Sequence, residues 1–293
     1  MGKVRFEGWF PIGGCAMATS PTALLAHEPD STQAAVLHLF GGPYVTLCGQ
    51  RREVPEGSKR LLVFVALHRV RVERRCAAGT LWPIGQDLRA AGNLRSALWR
   101  LRRAGIDLIV ADKWSLMLCD EVVVDLRVME DWAARLIGGT ATNDDLSVLP
   151  RHSEALDLLP GWYDDWALME RERLRQRMLH ALEVLSRKLA HEGRCADAIE
   201  AALVAVAAEP LRESAQRTLI EAHLAEGNWV EGRRAFDAYR ELLRRELGAE
   251  PPADLAASFS APRVLAKSFA AAAKQRPSIT TTSASISALR TAH

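Results

Sequence analysis

The chain has 293 residues, 48% of them hydrophobic and 25% charged, with a formal net charge of +2. That is the composition of a globular protein with apolar material for real cores and room for two domains of ordinary size. No run approaches the ~20 apolar residues that cross a bilayer. The segment after Lys3 and Arg5, Gly8–Gly14, is too short and mixed for a signal peptide, so no membrane association is expected and the chain is placed in the cytoplasm.

Five cysteines, Cys15, Cys48, Cys76, Cys119 and Cys195, are odd in number and scattered. No Cys-x-x-Cys and no zinc-ligand spacing occur, so neither a disulfide framework nor a metal site is expected. They read as small buried apolar residues in a reducing compartment. The near-neutral total hides an asymmetry. Between Arg51 and Arg103 stand thirteen Lys and Arg against four acids, and the rest of the chain is net negative. A basic module joined to an acidic one is the electrostatic footprint of a nucleic-acid binder.

In chain order, residues 1–35 show no sustained period and read as a flexible tail, in which Met17 is an alternative start to Met1. Val36–Phe40 and Tyr44–Leu47 are β-prone runs separated by Gly41-Gly-Pro43, a strand–turn–strand signal. Ser58 reads as the N-cap of a buried helix through Leu67, and a second helix runs from about Glu73 to Trp82, stopped by Pro83. After the loop from Pro83, an Arg-rich helix carries Gly92 to Arg103. Leu94, Ala97, Leu98 and Leu101 fall at i, i+3, i+4 and i+7, one apolar stripe. The opposite face holds Ser96, Trp99, Arg100 and Arg103, with Arg95 and Arg102 on one flank and Asn93 on the other. Gly105 ends the helix, and Ile106–Val110 with Trp114–Leu118 forms a hairpin about Ala111-Asp-Lys113. Strands, three helices and a closing hairpin make a winged helix-turn-helix over residues 36–124.

From Asp125 the pattern is helical, which makes the whole α+β but mainly α. Helices are expected over Leu126–Ile137, about Asp144–Leu158 and about Asp165–His191, with Pro160-Gly-Trp-Tyr163 as a break and Asp165 as a cap. The turns Glu192-Gly193 and Glu226-Gly227 are 34 residues apart, the period of tetratricopeptide repeats. Ala198, Ala202, Ala205 and Pro210 of one unit match Gly232, Phe236, Tyr239 and Arg244 of the next, the last departing from the repeat pattern. An all-α, tetratricopeptide-like domain over 125–256 is expected, then a disordered Ala/Ser/Thr-rich tail, 257–293.

Leu81-Trp-Pro83, the spacing to Asn93–Arg103, the hairpin and Val124-Asp125 resemble the OmpR-type DNA-binding domain of the Streptomyces antibiotic regulatory protein family. Leu159-Pro-Gly-Trp-Tyr-Asp-Asp-Trp166, Glu170-Arg-Glu-Arg-Leu174 and Leu242-Leu-Arg-Arg-Glu-Leu-Gly248 resemble the bacterial transcriptional activator domain that follows it there. The resemblance implies an activator that binds direct repeats near promoters, with a homodimer as one arrangement, and recruits RNA polymerase. The Gly-x-x-x-x-Gly-Lys-Ser/Thr phosphate loop of larger members is absent.

Arginine pairs bidentately with guanine in the major groove, so Ser96, Arg100 and Arg103 are assigned to bases, and Arg95, Arg102 and Asn93 to the backbone of double-stranded DNA. Trp99 lies either against sugar or a thymine methyl, or over the domain's own core. Lys113, at the hairpin tip, is the wing's contact. The loop Pro83–Leu88 is either a polymerase contact or a plain connector. Asp164, Asp165 and Glu170 make no catalytic constellation, His180, His191 and His223 have no identifiable partners, and neither a cofactor nor an enzyme activity is expected. The alternative is a repeat-based protein-interaction adaptor without specific DNA binding.

Overall fold

The computed structural model describes residues 35–84, 86–148 and 157–259. Most of the two expected tails and the Met17 start therefore lie outside the described residues. The molecule is mainly helical, with a small sheet region at its amino end.

Strands β1 (Val36–His38) and β2 (Tyr44–Leu47) pair antiparallel across Gly41 and Gly42, whose φ values of +77° and +107° suit glycine. Cys48 and Gly49 then take φ +49° and +74°, the two-residue hairpin loop that turns β2 into β3 (Gln50–Glu53). The sequence reading has no β3, because Gln50-Arg-Arg-Glu53 carries no apolar alternation; all four residues are exposed. Helix α1 (Glu56–Leu67) begins earlier than expected, with Pro55 at the N-cap. Ser58 is not its cap: it is fully buried inside the first turn, and its Oγ donates to the Ala97 carbonyl at 2.9 Å.

Strand β4 (Val72–Glu73) leads into α2 (Arg74–Leu81), and α3 (Asp87–Arg103) begins five residues before Gly92. Helix α3 buries Ala90, Leu94, Ala97, Leu98 and Leu101, the expected stripe lengthened by a turn. The hairpin of β5 (Ile109–Ala111) and β6 (Ser115–Leu118) joins β4 in a second antiparallel sheet of order β4-β6-β5. Strand β7 (Val123–Val124) returns to the first sheet, parallel to β1, giving the order β3-β2-β1-β7.

The helical half opens with α4 (Asp125–Ile137) and α5 (Asn143–Ser147). Thr142 and Asp145 form a reciprocal capping box on α5, and Asp145 also takes two prongs of Arg135. Helix is found only to Ser147; residues 149–156 of the expected 144–158 helix lie outside the described ones, and Leu158 makes an antiparallel bridge with Phe40. Helix α6 (Asp165–His191) is capped by Asp164, not by the expected Asp165. Asp164 makes no side-chain cap bond, because its carboxylate pairs with Arg60.

Helices α7 (Cys195–Ala208), α8 (Glu213–Glu226), α9 (Trp229–Leu247) and α10 (Ala253–Ala257) complete the half, each of the first three packed on the one before it. Gly193 and Gly227 make the turns at φ +81° and +85°. Ala198, Ala202 and Ala205 are fully buried, and Gly232, Phe236 and Tyr239 at the matching positions are buried as well, while Arg244 is exposed. Phe259 packs edge-on against Trp229, at 5.8 Å between ring centroids, and at 5.4 Å against Phe236.

One hydrophobic cluster runs from Leu37 in β1 through α1, α3, α4 and α6 to Ala222 in α8. A smaller one gathers Ile220, Phe236, Tyr239, Leu243, Leu255 and Phe259. The large cluster is stitched by polar bonds: across the halves the Asp125 carboxylate accepts the N–H groups of Leu39 and Phe40, and within the helical half Arg171 donates to the carbonyls of Leu158, Leu159 and Trp162. Phe64 meets Trp166 edge to face at 5.3 Å.

The cysteines depart from their reading. Cys48 and Cys76 are exposed, Cys119 and Cys195 half-buried, and Cys15 lies outside the described residues. Short polar surroundings, a hairpin loop for Cys48 and the outer face of α2 for Cys76, decided this rather than the residue's apolar preference. Among the described residues no helix is long and apolar enough to cross a membrane, and no group of three His, Cys, Asp or Glu is placed to hold a metal ion.

Candidate nucleic-acid interface

Helix α3 sets a buried apolar side against an exposed side carrying Arg95, Ser96, Trp99, Arg100, Arg102 and Arg103; Asn93 is half-buried. The helix is held from behind by apolar packing and by the Ser58–Ala97 bond, so its outer face is presented on a fixed axis. Trp99 is 57% exposed, and the Arg103 guanidinium lies 5.1 Å from its ring centroid, a cation–π contact. Trp99 therefore does not cover the domain's own core. The Arg100 guanidinium donates to the Gly57 carbonyl at 3.2 Å, and Arg102 sits 3.5 Å from the Asp107 carboxylate. Arg95 has no carboxylate partner among the described residues.

The β5–β6 turn is built on one side chain. The Asp112 carboxylate accepts the backbone N–H of Trp114 at 2.7 Å and of Ser115 at 2.6 Å, together with the Ser115 hydroxyl at 2.7 Å and Arg71 at 3.1 Å. The Ser115 hydroxyl, then the two N–H groups and Arg71, hold its carboxyl down at about 2. Arg74 closes the turn from the other side, donating its backbone N–H to the Trp114 carbonyl at 2.9 Å and its guanidinium to the Asp112 carbonyl at 3.1 Å. Lys113 and Trp114 are left outside, the ammonium 4.8 Å from the ring centroid, with Trp114 73% exposed.

The structure sorts the cations of the basic stretch. Arg51 is neutralised by Glu53, Lys59 by Glu56, Arg60 by Asp164, Arg69 by Glu130 and Asp131, and Arg71 by Asp112. Arg52, Arg75, Arg89 and Arg95 are exposed with no carboxylate partner among the described residues. Two of these matter to the α3 face but escape the sequence reading. Arg89, Ser96, Arg100 and Arg103 stand at i, i+7, i+11 and i+14, one stripe of the same helix; the sequence reading draws the face only from Asn93 to Arg103 and leaves the first out. Arg52 brings a guanidinium nitrogen within 3.6 Å of where a Cβ on Gly105 would stand, beside the end of α3, and only the β3 hairpin carries it there. The third omission is Trp114, for which an exposed aromatic beside a turn lysine is the available signal.

Residues 125–261 match the family of bacterial transcriptional activator domains. The regulatory protein AfsR of Streptomyces griseus is 28% identical over 201 residues, which are 64% of this chain and 20% of that protein. The chain thus spans about a fifth of the length of the curated relative it matches. Among solved structures, Mycobacterium tuberculosis EmbR in complex with a low affinity phosphopeptide is similar in fold, with a TM-score of 0.56 and 16% identity, covering 82% of this chain and 69% of that one. The class these matches point to is a bacterial transcriptional regulator.

Proposed function

We propose that the chain is a sequence-specific DNA-binding regulator, an activator that brings RNA polymerase to promoters carrying direct repeats. In this reading residues 36–124 are a winged helix-turn-helix, 125–256 a tetratricopeptide-like activator domain, and 1–35 and 257–293 are tails. The observation that carries it is the α3 face. Arg89, Arg95, Ser96, Arg100 and Arg103 are exposed on a helix whose other side is locked into the core, and Arg89 and Arg95 have no internal carboxylate partner. Cations left uncompensated on a rigid helix suit phosphate neutralisation and bidentate guanine recognition.

Ser96, Arg100 and Arg103 read bases; Arg89, Arg95, Arg102 and Asn93 hold phosphates; and Trp99 packs against sugar or a thymine methyl. Arg102 and Arg100 exchange their present partners, Asp107 and the Gly57 carbonyl, for DNA. Lys113 is the wing contact. Exposed Ile84 in the loop and exposed Leu88 in the first turn of α3 are the surface offered to polymerase.

Selection from a random duplex pool, followed by mobility shifts of the winning site against random DNA, tests the reading. A specificity ratio of ~10³ or more is expected, reduced by Arg100→Ala. A ratio near one for the full chain sinks it and leaves the adaptor alternative.

A further inference from the structure

Trp114 is the most exposed tryptophan described, at 73%, yet the turn that bears it is held by a dense set of hydrogen bonds. Asp112, Ser115, Arg71 and Arg74 lock its backbone from both sides, so the indole is held out into solvent by design of the turn rather than by slack in it. Burying so large an apolar ring is favourable, and an exposed one on a rigid mount is a surface kept for a partner.

The chemistry around the ring selects the partner. Lys113 and Arg74 flank the tip, Arg71 pairs with Asp112 behind it, and the other acid at the turn is Glu73, opposite Ser115 in the sheet; Asp112 is consumed by the turn itself. An apolar plate in a cationic collar suits a polyanion with apolar walls, which is the minor groove of duplex DNA, more closely than an apolar protein surface. The indole Nε1–H has no acceptor among the described residues, and it is a donor only.

Resting on the DNA-binding reading above, we propose that Trp114 is a minor-groove specificity residue that selects A·T over G·C pairs. At A·T pairs the groove floor offers only the acceptors N3 and O2, to which Nε1–H donates. At G·C pairs the guanine N2 amino group projects from the floor and meets the ring. Lys113 leaves the ring face for a flanking phosphate, and narrow A·T tracts concentrate the negative potential that draws it.

An inosine scan of the selected site tests this, because an inosine·cytosine pair keeps the major-groove edge of G·C and has the minor-groove floor of A·T. Each pair of the site and its flanks is changed in turn to A·T, G·C or I·C, and binding of the full chain, Trp114→Ala and Arg100→Ala is measured; melting curves check that both variants are folded. The expected result is a short run of pairs where G·C weakens wild-type binding ~5-fold or more and I·C restores it. That pattern persists in Arg100→Ala and disappears in Trp114→Ala. If Trp114→Ala discriminates as wild type does while Arg100→Ala relaxes selectivity elsewhere, the Trp114 assignment falls and the DNA reading stands. If Trp114→Ala binds and discriminates normally but no longer retains RNA polymerase on the template, the ring serves a protein partner and the assignment is likewise overturned. If wild type binds the selected site no better than random duplex, both fall together.

Discussion

The carboxylate of Asp125 accepts the backbone N–H of Leu39 through both its oxygens, at 3.0 and 2.9 Å, across 86 positions of sequence. Phe40 and Leu126 add their N–H groups at 3.2 and 2.7 Å, so the first residue of α4 fastens the end of β1 to the helical half. An asparagine there turns an amide NH₂ toward backbone donors. Asp125→Asn is expected to destabilise the chain by ~1–3 kcal/mol, measured by urea unfolding.

The same group makes stability pH-dependent. Burial pushes the Asp125 carboxyl up to about 7, against the opposing pull of the Leu39, Phe40 and Leu126 N–H groups. Its folded-state value lies above the ordinary 3.8, so the folded chain binds more protons between those values. Its contribution is fully present below pH ~4 and lost as pH rises toward 7. His38, with its Nδ1 at 3.9 Å, has its pKa lowered by burial and then by Arg51, and contributes a slope of the opposite sign. The stability difference between wild type and Asp125→Asn should therefore be larger at pH 5 than at pH 7.5. A larger difference at pH 7.5 contradicts the assignment.

Gly57 and Arg100 share one space. A Cβ on Gly57 would stand 2.6 Å from an Arg100 guanidinium nitrogen, so Gly57→Ala must expel the guanidinium from the Gly57 carbonyl. The substitution lies in the first turn of α1, where alanine favours the helix by up to ~1 kcal/mol. Thermal unfolding should show equal or higher stability, while the base preference recovered by duplex selection shifts. Unchanged preference would mean that the Arg100 anchor has no bearing on recognition.

Arg89 is expected to contribute one phosphate contact. Arg89→Ala should weaken binding to all sequences alike and lower the slope of log affinity against log salt by ~0.9. Titrations at several salt concentrations read this directly, and a loss confined to one sequence would make Arg89 a base reader instead.

Glu183 is buried inside the helical half, where it accepts Arg212 Nε at 2.6 Å and the Ser214 hydroxyl at 2.7 Å. Glu183→Ala strands Arg212, itself only 16% exposed, and should cost ~3–5 kcal/mol; Glu183→Gln should cost less. Chemical denaturation of both variants checks the order.

Much of the fold was legible because it is written in local periods. The α3 stripe at Leu94, Ala97, Leu98 and Leu101, the Gly41–Pro43 turn and the Gly193 and Gly227 helix ends each depend on residues a few positions apart. Elements without a local signal were lost. Strand β3 is Gln-Arg-Arg-Glu, β4 and β7 are two residues each, and Ser58 resembles a cap until Ala97 is seen to accept its hydroxyl.

By itself the sequence determined that a basic, Arg-faced helix precedes an α-helical region, since amphipathic spacing and glycine punctuation are properties of neighbours along the chain. Only the tertiary structure decided which arginines remain free. Arg60 meets Asp164 and Arg69 meets Glu130 across 104 and 61 positions, while Arg89 and Arg95 meet no carboxylate among the described residues. Charge is local to a residue, but its compensation is set by whatever the fold brings within ~4 Å.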